Sequence, residues 1–267
     1  MSSLDQQRDD FFKNKGSEAI NNFTQEGIEA AQVEDDFLNP PPILAKEAYH
    51  GILADIVKVG TVSSEASPVA VAANFISTFC AMIGRNPSQW IGDSVNHACP
   101  WFLLVGRTGK ARKGTSEHTV KAVFNAVELN LQTLHDEDWP SMKRHEGGLS
   151  SGEGLGWVIR DRVEDQDPKT GAVVENGGTD DKRLYVVESE FGGTIDIANR
   201  EKNTLSATLR TVFDGKTISP LVKNQAWAAT NPHIVIVGHV TQIELTAKMS
   251  AVDAHSGFLA TRLKWDK

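Results

Sequence analysis

Three short runs of apolar residues along the chain are each followed directly by polar residues. The runs cover residues 101–105, 184–187 and 234–237. Apolar runs of this length predict strands that are buried within a sheet. Because open α/β sheets bind ligands at the carboxyl ends of their strands, we expect the polar residues that follow the three runs to lie close together.

Apolar residues spaced three or four positions apart predict helices around these strands. The expected helices cover residues 44–59, 67–84, 120–134 and 203–215. The second begins with Ser67-Pro68, a hydroxyl residue before a proline that typically starts a helix, and the fourth stops at Asp214-Gly215. A strand and a turn are expected over residues 87–100, and an exposed acidic hairpin over residues 161–182.

Strands that alternate with helices predict an α/β fold, with a mostly parallel sheet and helices on its faces. The predicted sheet lies in residues 101–267, which would form the core domain. Residues 43–100 would form a helical segment that precedes this core. Residues 1–42 are polar and acidic and end in three prolines, so we expect a flexible tail or linker there.

Composition narrows the class of protein. The 267-residue chain has a hydrophobic content of 40% and no run of ~20 apolar residues, so we expect no membrane span. The net charge of −8 argues against a broad nucleic-acid-binding face, although a basic loop in a channel remains compatible with it. The N-terminal residues lack the features of a signal peptide, and Cys80 and Cys99 lie in apolar surroundings, so we expect a cytoplasmic protein with reduced thiols.

A glycine-rich basic loop, residues 106–116, joins the first predicted strand to the helix that follows it. In such a loop the backbone N–H groups point into one concavity, and the helix adds its positive N-terminal end, so the arrangement favours phosphate binding. We expect this loop to bind ATP and Mg²⁺. The residues expected to contact them are Gly106, Gly109, Lys110, Arg112, Lys113, Gly114, Thr115 and Ser116.

The basic loop departs from the usual GxxxxGK[ST] spacing, and two registers are open. In the favoured register, Lys113 contacts the phosphates, and Thr115 or Ser116 holds the metal. In the other register, Gly109 and Gly114 are the two glycines of the motif, and a lysine reaches back into the loop. An ordinary basic turn between a strand and a helix is the alternative without a ligand.

Acidic residues supply the other groups that a nucleoside triphosphatase needs. Glu188 directly follows the apolar run at 184–187, the usual position of a metal-holding carboxylate, and Glu190 would activate the attacking water. In the plainer interpretation, both are solvated carboxylates at a strand end. Glu153, in the glycine-rich stretch 147–155, competes for the role of base, because the glycines indicate either close backbone approach to a ligand or a flexible turn.

Two further groups of polar residues are candidates. His239 and Thr241 follow the third apolar run and would sense the terminal phosphate, although a histidine at a strand end is often structural. Lys223, Asn224 and Trp227 combine charge, amide and aromatic groups, as contacts to single-stranded DNA do. An ordinary hairpin at the edge of the sheet is the alternative for this second group.

Five ordered motifs together resemble the P-loop, RecA-like helicase domain of phage- and plasmid-type primase/helicase proteins, a domain of unknown function linked to bifunctional DNA primase/polymerases. They are residues 105–116, 148–155, 186–191, 203–206 and 236–241. The resemblance covers about residues 43–267 and implies a RecA-like core. It also implies ATP-driven work on DNA in mobile-element replication by a ring-shaped homo-oligomer.

The chain also departs from this family near its C-terminus. Thr261-Arg262-Leu263 stands where family members tend to have Asn-Arg-Phe, so the resemblance implies that Arg262 is an arginine finger donated to a neighbouring subunit. Family domains usually continue well past this point, and no primase domain accompanies this one. We therefore expect a fragment, a split gene product or a degenerate copy.

The sequence as a whole predicts an ATP-binding and ATP-hydrolysing helicase-like domain that acts on DNA. Two other functions are open. One is a small-molecule kinase, because some nucleotide kinases have a phosphate loop that ends in Lys-Gly-Thr, although the sequence offers no separate arginine-rich lid for an acceptor phosphate. The other is a non-catalytic module whose binding to a partner is gated by a nucleotide.

Overall fold

The structure is a computed structural model of the chain, and it describes residues 44–106, 113–135, 139–166, 173–175, 177–221 and 227–248. The chain divides into two compact units, Met1–Leu44 and Ala45–Lys267. Every helix and strand named below belongs to the second unit. The predicted tail, residues 1–42, lies outside the described residues.

The described part of the chain contains both helices and strands. The helices are α1 (Ile52–Thr61), α2 (Pro68–Ile83), α3 (Lys113–Leu134), α4 (Gly152–Val158), α5 (Phe191–Ala198), α6 (Leu205–Phe213) and α7 (Gln242–Lys248). The strands are β1 (Ser88–Ile91), β2 (Ser94–His97), β3 (Phe102–Gly106), β4 (Lys143–Glu146), β5 (Glu164–Gln166), β6 (Val173–Glu175), β7 (Arg183–Glu188) and β8 (His233–Thr241).

Four of these strands form one parallel sheet in the order β3-β8-β7-β4. The last strand in the chain, β8, therefore lies between β3 and β7. Leu103 pairs with Gly238 on one side of β8, and Glu188 pairs with the same glycine on the other side. The predicted α/β fold with a mostly parallel sheet is confirmed.

Helices cover both faces of this sheet. In β7, Leu184 and Val186 contact the core formed by α4, α5 and α6, whereas Tyr185 and Val187 contact the core formed with α2. A third cluster joins α1, α2 and α3 through residues such as Phe75. The strands β7 and β8 are buried along nearly their whole length, and each contains a run of four apolar residues because both of their faces are covered.

Gly238 allows helix α5 to begin directly over the sheet. A Cβ atom at this position would lie 2.6 Å from the Phe191 ring and 2.9 Å from Leu103 Cδ1. Phe191, the first residue of α5, is buried and fills the space that a side chain on β8 would need. The absence of a side chain at Gly238 thus sets where the chain turns after β7.

Three predicted elements outside the sheet are confirmed, and one is wrong. The region 87–100 contains the hairpin β1–β2, and the region 161–182, predicted as an acidic hairpin, contains the hairpin β5–β6. Helix α2 spans Pro68–Ile83 between Ser67 and Gly84. The predicted helix over 44–59 begins too early, because Gly51 has a φ of 58° and separates a short 3₁₀ turn from α1.

One strand of the sheet was not predicted at all. Strand β4, with the sequence Lys-Arg-His-Glu, carries no apolar residue. It lies at the edge of the sheet beside β7, where its side chains bind the polar face of α3: Arg144 donates to Asn125 Oδ1 and pairs with Glu128 at 3.1 Å. Hydrophobic periodicity cannot reveal a strand that is covered by polar contacts.

We expect Gly238→Ala to lower the free energy of unfolding by about 1–3 kcal/mol, because the new methyl group overlaps the Phe191 ring in a close-packed core. Urea unfolding measures this change. The matched control is Gly193→Ala in α5, where a Cβ would meet no atom within 4 Å. That variant should be as stable as the wild type or up to about 1 kcal/mol more stable, and equal effects of the two changes would contradict the packing argument.

Candidate functional site

The four parallel strands end at one edge of the sheet, which we call the carboxyl edge. Gly106 ends β3, Thr241 ends β8, Glu188 ends β7 and Glu146 ends β4. Gly106 and Thr241 are register partners, and Glu188 is the register partner of Gly238. The strand ends that the sequence predicted to converge therefore do lie together, and the carboxyl edge is the candidate site.

Glu188 is buried at this edge and bound by backbone amides. Glu188 as a whole residue is only 3% exposed. Its Oε1 accepts a hydrogen bond from Leu149 N at 2.7 Å, and its Oε2 accepts one from Gly148 N at 3.3 Å. Bonds of this kind compensate a carboxylate for the loss of water, so Glu188 is not a solvated surface acid.

The amides that bind Glu188 belong to the glycine segment, residues 147–152, which connects β4 to α4. Gly147 N donates to Val187 O at 2.8 Å, so the segment crosses the end of β7. Gly147 and Gly148 have φ values of 73° and 84°, in the left-handed region that favours glycine. These two glycines are therefore needed for the backbone turn that brings the amides of the segment onto Glu188.

Of the two candidate bases, Glu190 lies two residues after Glu188, and Glu153 follows the glycine segment that binds Glu188. Glu153 is exposed in the first turn of α4, which Ser151 caps by accepting a hydrogen bond from Gly154 N at 3.0 Å. Glu190 is exposed and immediately precedes α5, without a capping hydrogen bond from its own side chain. Their proposed role in activating water stays a prediction.

The basic loop leads from the end of β3 to the start of α3. Gly109, Lys110 and Arg112 lie outside the described residues, whereas Lys113 and Gly114 are the first two residues of α3. The 22-residue helix thus begins within the stretch 106–116 that was predicted as a loop, and residues 113–116 form its first turn. Phosphate binding by this stretch stays a prediction, because residues 107–112 lie outside the described residues.

The two hydroxyl candidates in α3 differ in their surroundings. Ser116 is 1% exposed, and its Oγ accepts a hydrogen bond from Asn74 Nδ2 of α2 at 3.2 Å. Thr115 is exposed. Because the Ser116 hydroxyl already joins α3 to α2, Thr115 is the better candidate for a metal ligand.

His239 and Thr241 also serve the fold at their positions in β8. His239 is 3% exposed and is the register partner of Leu104 in β3. Thr241 forms a reciprocal cap with Glu244 of α7: its Oγ1 donates to Glu244 Oε2 at 2.8 Å and accepts from Glu244 N at 3.1 Å. A sensor role for Thr241 would have to coexist with this cap.

Sequence reasoning missed a second group of charged residues at the carboxyl edge. Lys121 of α3 forms an ion pair and hydrogen bond with Glu146 at the end of β4, and the hydrogen bond lowers the pKa of Glu146. Burial raises the pKa of Glu117, one turn earlier on the same helix as Lys121. Glu146 was missed because β4 itself carries no hydrophobic signal, and the contacts of Glu146 with α3 were missed for the same reason.

The residues predicted to contact DNA are only partly described. Lys223 and Asn224 lie outside the described residues, as does Arg262, the predicted arginine finger. Trp227 is half-buried, and its ring meets the ring of Trp157 edge-on at a centroid distance of 5.9 Å. Trp157 is 43% exposed, and the guanidinium of Arg160 stacks on it at 3.8 Å.

The opposite edge of the sheet also carries basic residues, but these are engaged by other groups. Arg183, the first residue of β7, pairs with Asp181 at 2.8 Å and donates to Met82 O. Lys182 pairs with Asp161 at 2.7 Å. A phosphate group at this edge would have to compete with the carboxylates of Asp181 and Asp161 for these basic side chains.

Comparison with protein-family models and with curated proteins gives no match for this chain. Within the described residues, no helix is long and apolar enough to cross a membrane. The same residues contain no group of three or more histidine, cysteine, aspartate or glutamate side chains that could hold a metal ion. The assignment of Thr115 and Glu188 as magnesium ligands stays a prediction.

We expect Glu188→Gln to lower the free energy of unfolding by about 1–3 kcal/mol, because an amide NH₂ group cannot accept a hydrogen bond and one buried N–H of the glycine segment loses its partner. Urea unfolding again measures the effect. The control is Glu146→Gln at the end of the neighbouring strand, whose exposed ion pair contributes at most about 1 kcal/mol. If Glu188→Gln proved as stable as the wild type, the carboxylate would not be what holds the glycine segment.

Proposed function

We propose that this chain is a RecA-like P-loop ATPase that binds and hydrolyses ATP at the carboxyl edge and acts on DNA, as a helicase-like domain in mobile-element replication. The observation that carries the proposal is the strand order β3-β8-β7-β4. This order brings the start of the basic loop, the end of β8 and the buried Glu188 to one edge. A glycine-rich loop between a strand and a long helix, with a carboxylate on a nearby parallel strand, suits phosphoryl chemistry.

Each candidate residue would have a defined task. The amides of the basic loop and Lys113 would bind the phosphates, helped by the positive end of α3. Thr115 and Glu188 would hold Mg²⁺, a metal that neutralises charge on the phosphates. Because both oxygens of Glu188 accept amide hydrogen bonds, this residue would act through a water molecule in the metal's shell.

Attack by water needs a base and a means of stabilising the charge that develops. Glu190 or Glu153 would orient and deprotonate the water, since both are exposed near the buried Glu188. His239 would report the state of the terminal phosphate from β8. Arg262 would act across a subunit interface, which requires a homo-oligomer such as a ring.

We expect the wild-type chain to hydrolyse ATP in the presence of Mg²⁺, and Lys113→Ala to lower kcat/KM by about 100-fold or more through loss of charge stabilisation. Glu188→Gln should have an effect of similar size. Release of inorganic phosphate is the measurement, with and without single-stranded DNA. Lys58→Ala, an exposed lysine of α1, is the matched control and should keep full activity.

Other outcomes would favour a different function or register. A larger loss in Lys110→Ala than in Lys113→Ala would overturn the favoured register of the basic loop. Transfer of phosphate to a nucleoside monophosphate instead of water would indicate a kinase. No turnover by the wild type even when DNA is present, together with ATP binding that survives Glu188→Gln, would indicate a non-catalytic nucleotide-gated module.

Single-stranded DNA is the proposed partner because aromatic and basic side chains lie together around the end of α4. Trp227 was the predicted contact, but its ring also packs against Gly156, where a Cβ atom would overlap it. Trp157 presents more exposed surface and lies beside both Trp227 and Arg160. Aromatic and guanidinium groups together suit stacked bases of any sequence.

We expect Trp157→Ala to weaken binding of a fluorescent oligothymidine about tenfold, as loss of one base-stacking contact of about 1–3 kcal/mol would do. Fluorescence anisotropy measures the Kd without nucleotide. Trp90→Ala is the control, because Trp90 is 69% exposed on the separate hairpin β1–β2. Equal affinity of Trp157→Ala and wild type, or a greater loss in Trp90→Ala, would place the DNA contact elsewhere.

A further inference from the structure

The glycine segment is held from two sides by side chains that are far apart in sequence. On the side of β7, Glu188 accepts the amides of Gly148 and Leu149. On the other side, Asn203 Nδ2 donates to Ser150 O at 3.1 Å. The segment is thus fixed both by the end of β7 and by the connection that precedes α6.

The Asn203 side chain is itself fixed at both ends. Its Oδ1 accepts a hydrogen bond from Leu205 N, the first residue of α6, at 2.7 Å. This bond satisfies one of the N–H groups that have no partner within the helix. An amide has one accepting and one donating end, so only one orientation of Asn203 satisfies both Leu205 N and Ser150 O.

The start of α4 also lies directly on α6. A Cβ atom at Gly152 would overlap Thr208 Oγ1 and would lie 3.0 Å from Thr204 O. Ser150 and Gly152, on either side of the capping residue Ser151, are therefore both located by α6 or by the residues before it. Glu153 follows Gly152 directly, so its backbone position depends on the same contacts.

We propose that Asn203 is a positioning residue, which holds the glycine segment against Glu188 and thereby sets the position of Glu153. For its effect on turnover this inference rests on the proposed function, in which Glu188 and Glu153 serve a nucleotide. The contact itself does not require a nucleotide. Asn203 touches neither the reacting atoms nor the metal in this scheme; it acts through Ser150.

The first test is amide hydrogen exchange of the full chain without nucleotide. Asn203→Asp keeps the oxygen that accepts from Leu205 N but replaces the donor to Ser150 O. We expect exchange of Gly148 and Leu149 to become about tenfold faster, as loss of one hydrogen bond would allow, while α6 stays protected. Asn199→Asp is the control: it makes the same chemical change at an exposed residue that bonds Lys248 O, and the amides of Gly148 and Leu149 should keep their wild-type exchange.

The second test separates positioning from overall stability. In Asn203→Asp, kcat for ATP hydrolysis should fall about tenfold, the loss expected when a base is misplaced, while the Kd for ATP and the Tm stay close to wild type. Unchanged exchange of Gly148 and Leu149, or faster exchange with unchanged kcat, would overturn the inference. If the wild type bound no ATP, the proposed function would fail, and the exchange result alone would decide whether Asn203 holds the segment.

Discussion

The hydrogen bonds from Leu149 and Gly148 to the buried carboxylate of Glu188 are the constraint on which the candidate site depends. A carboxylate that is only 3% exposed is costly unless polar groups replace its water. The glycine segment supplies those groups with its backbone, which requires left-handed φ values at Gly147 and Gly148. Removal of either partner therefore disturbs the other, and the end of β7 and the start of α4 behave as one unit.

A steric constraint on the neighbouring strand complements this polar one. Gly238 lies beside Glu188 in the sheet, and its missing side chain allows the Phe191 ring to pack on β8. The turn from Glu188 into α5 is therefore tight. Because α5 and α6 follow that turn, the same packing also brings Asn203 back toward the glycine segment, so the chain contacts this segment both at Glu188 and at Asn203.

The parts of the fold that could be predicted from sequence are those whose signals are local. Strands β7 and β8 are buried on both faces and are therefore apolar runs, whereas β4 is held by charged contacts to α3 and gave no such signal. The glycine-rich stretch 147–155 was predicted either to approach a ligand closely or to form a flexible turn. The close approaches that the structure defines are to Glu188 and to Thr208, and no local pattern can identify partners so distant in sequence.

The charges at the carboxyl edge constrain any function that involves a phosphate. Glu188 and Glu146 end their strands, Glu190 lies two residues after β7 and Glu153 lies in the first turn of α4, on a chain whose net charge is already −8. Only Glu146 among them forms an ion pair with a lysine in the described residues. A triphosphate would be repelled from this edge unless cations offset the carboxylates. The basic loop and a divalent metal are the groups able to do so, which makes metal dependence a requirement of the proposed chemistry.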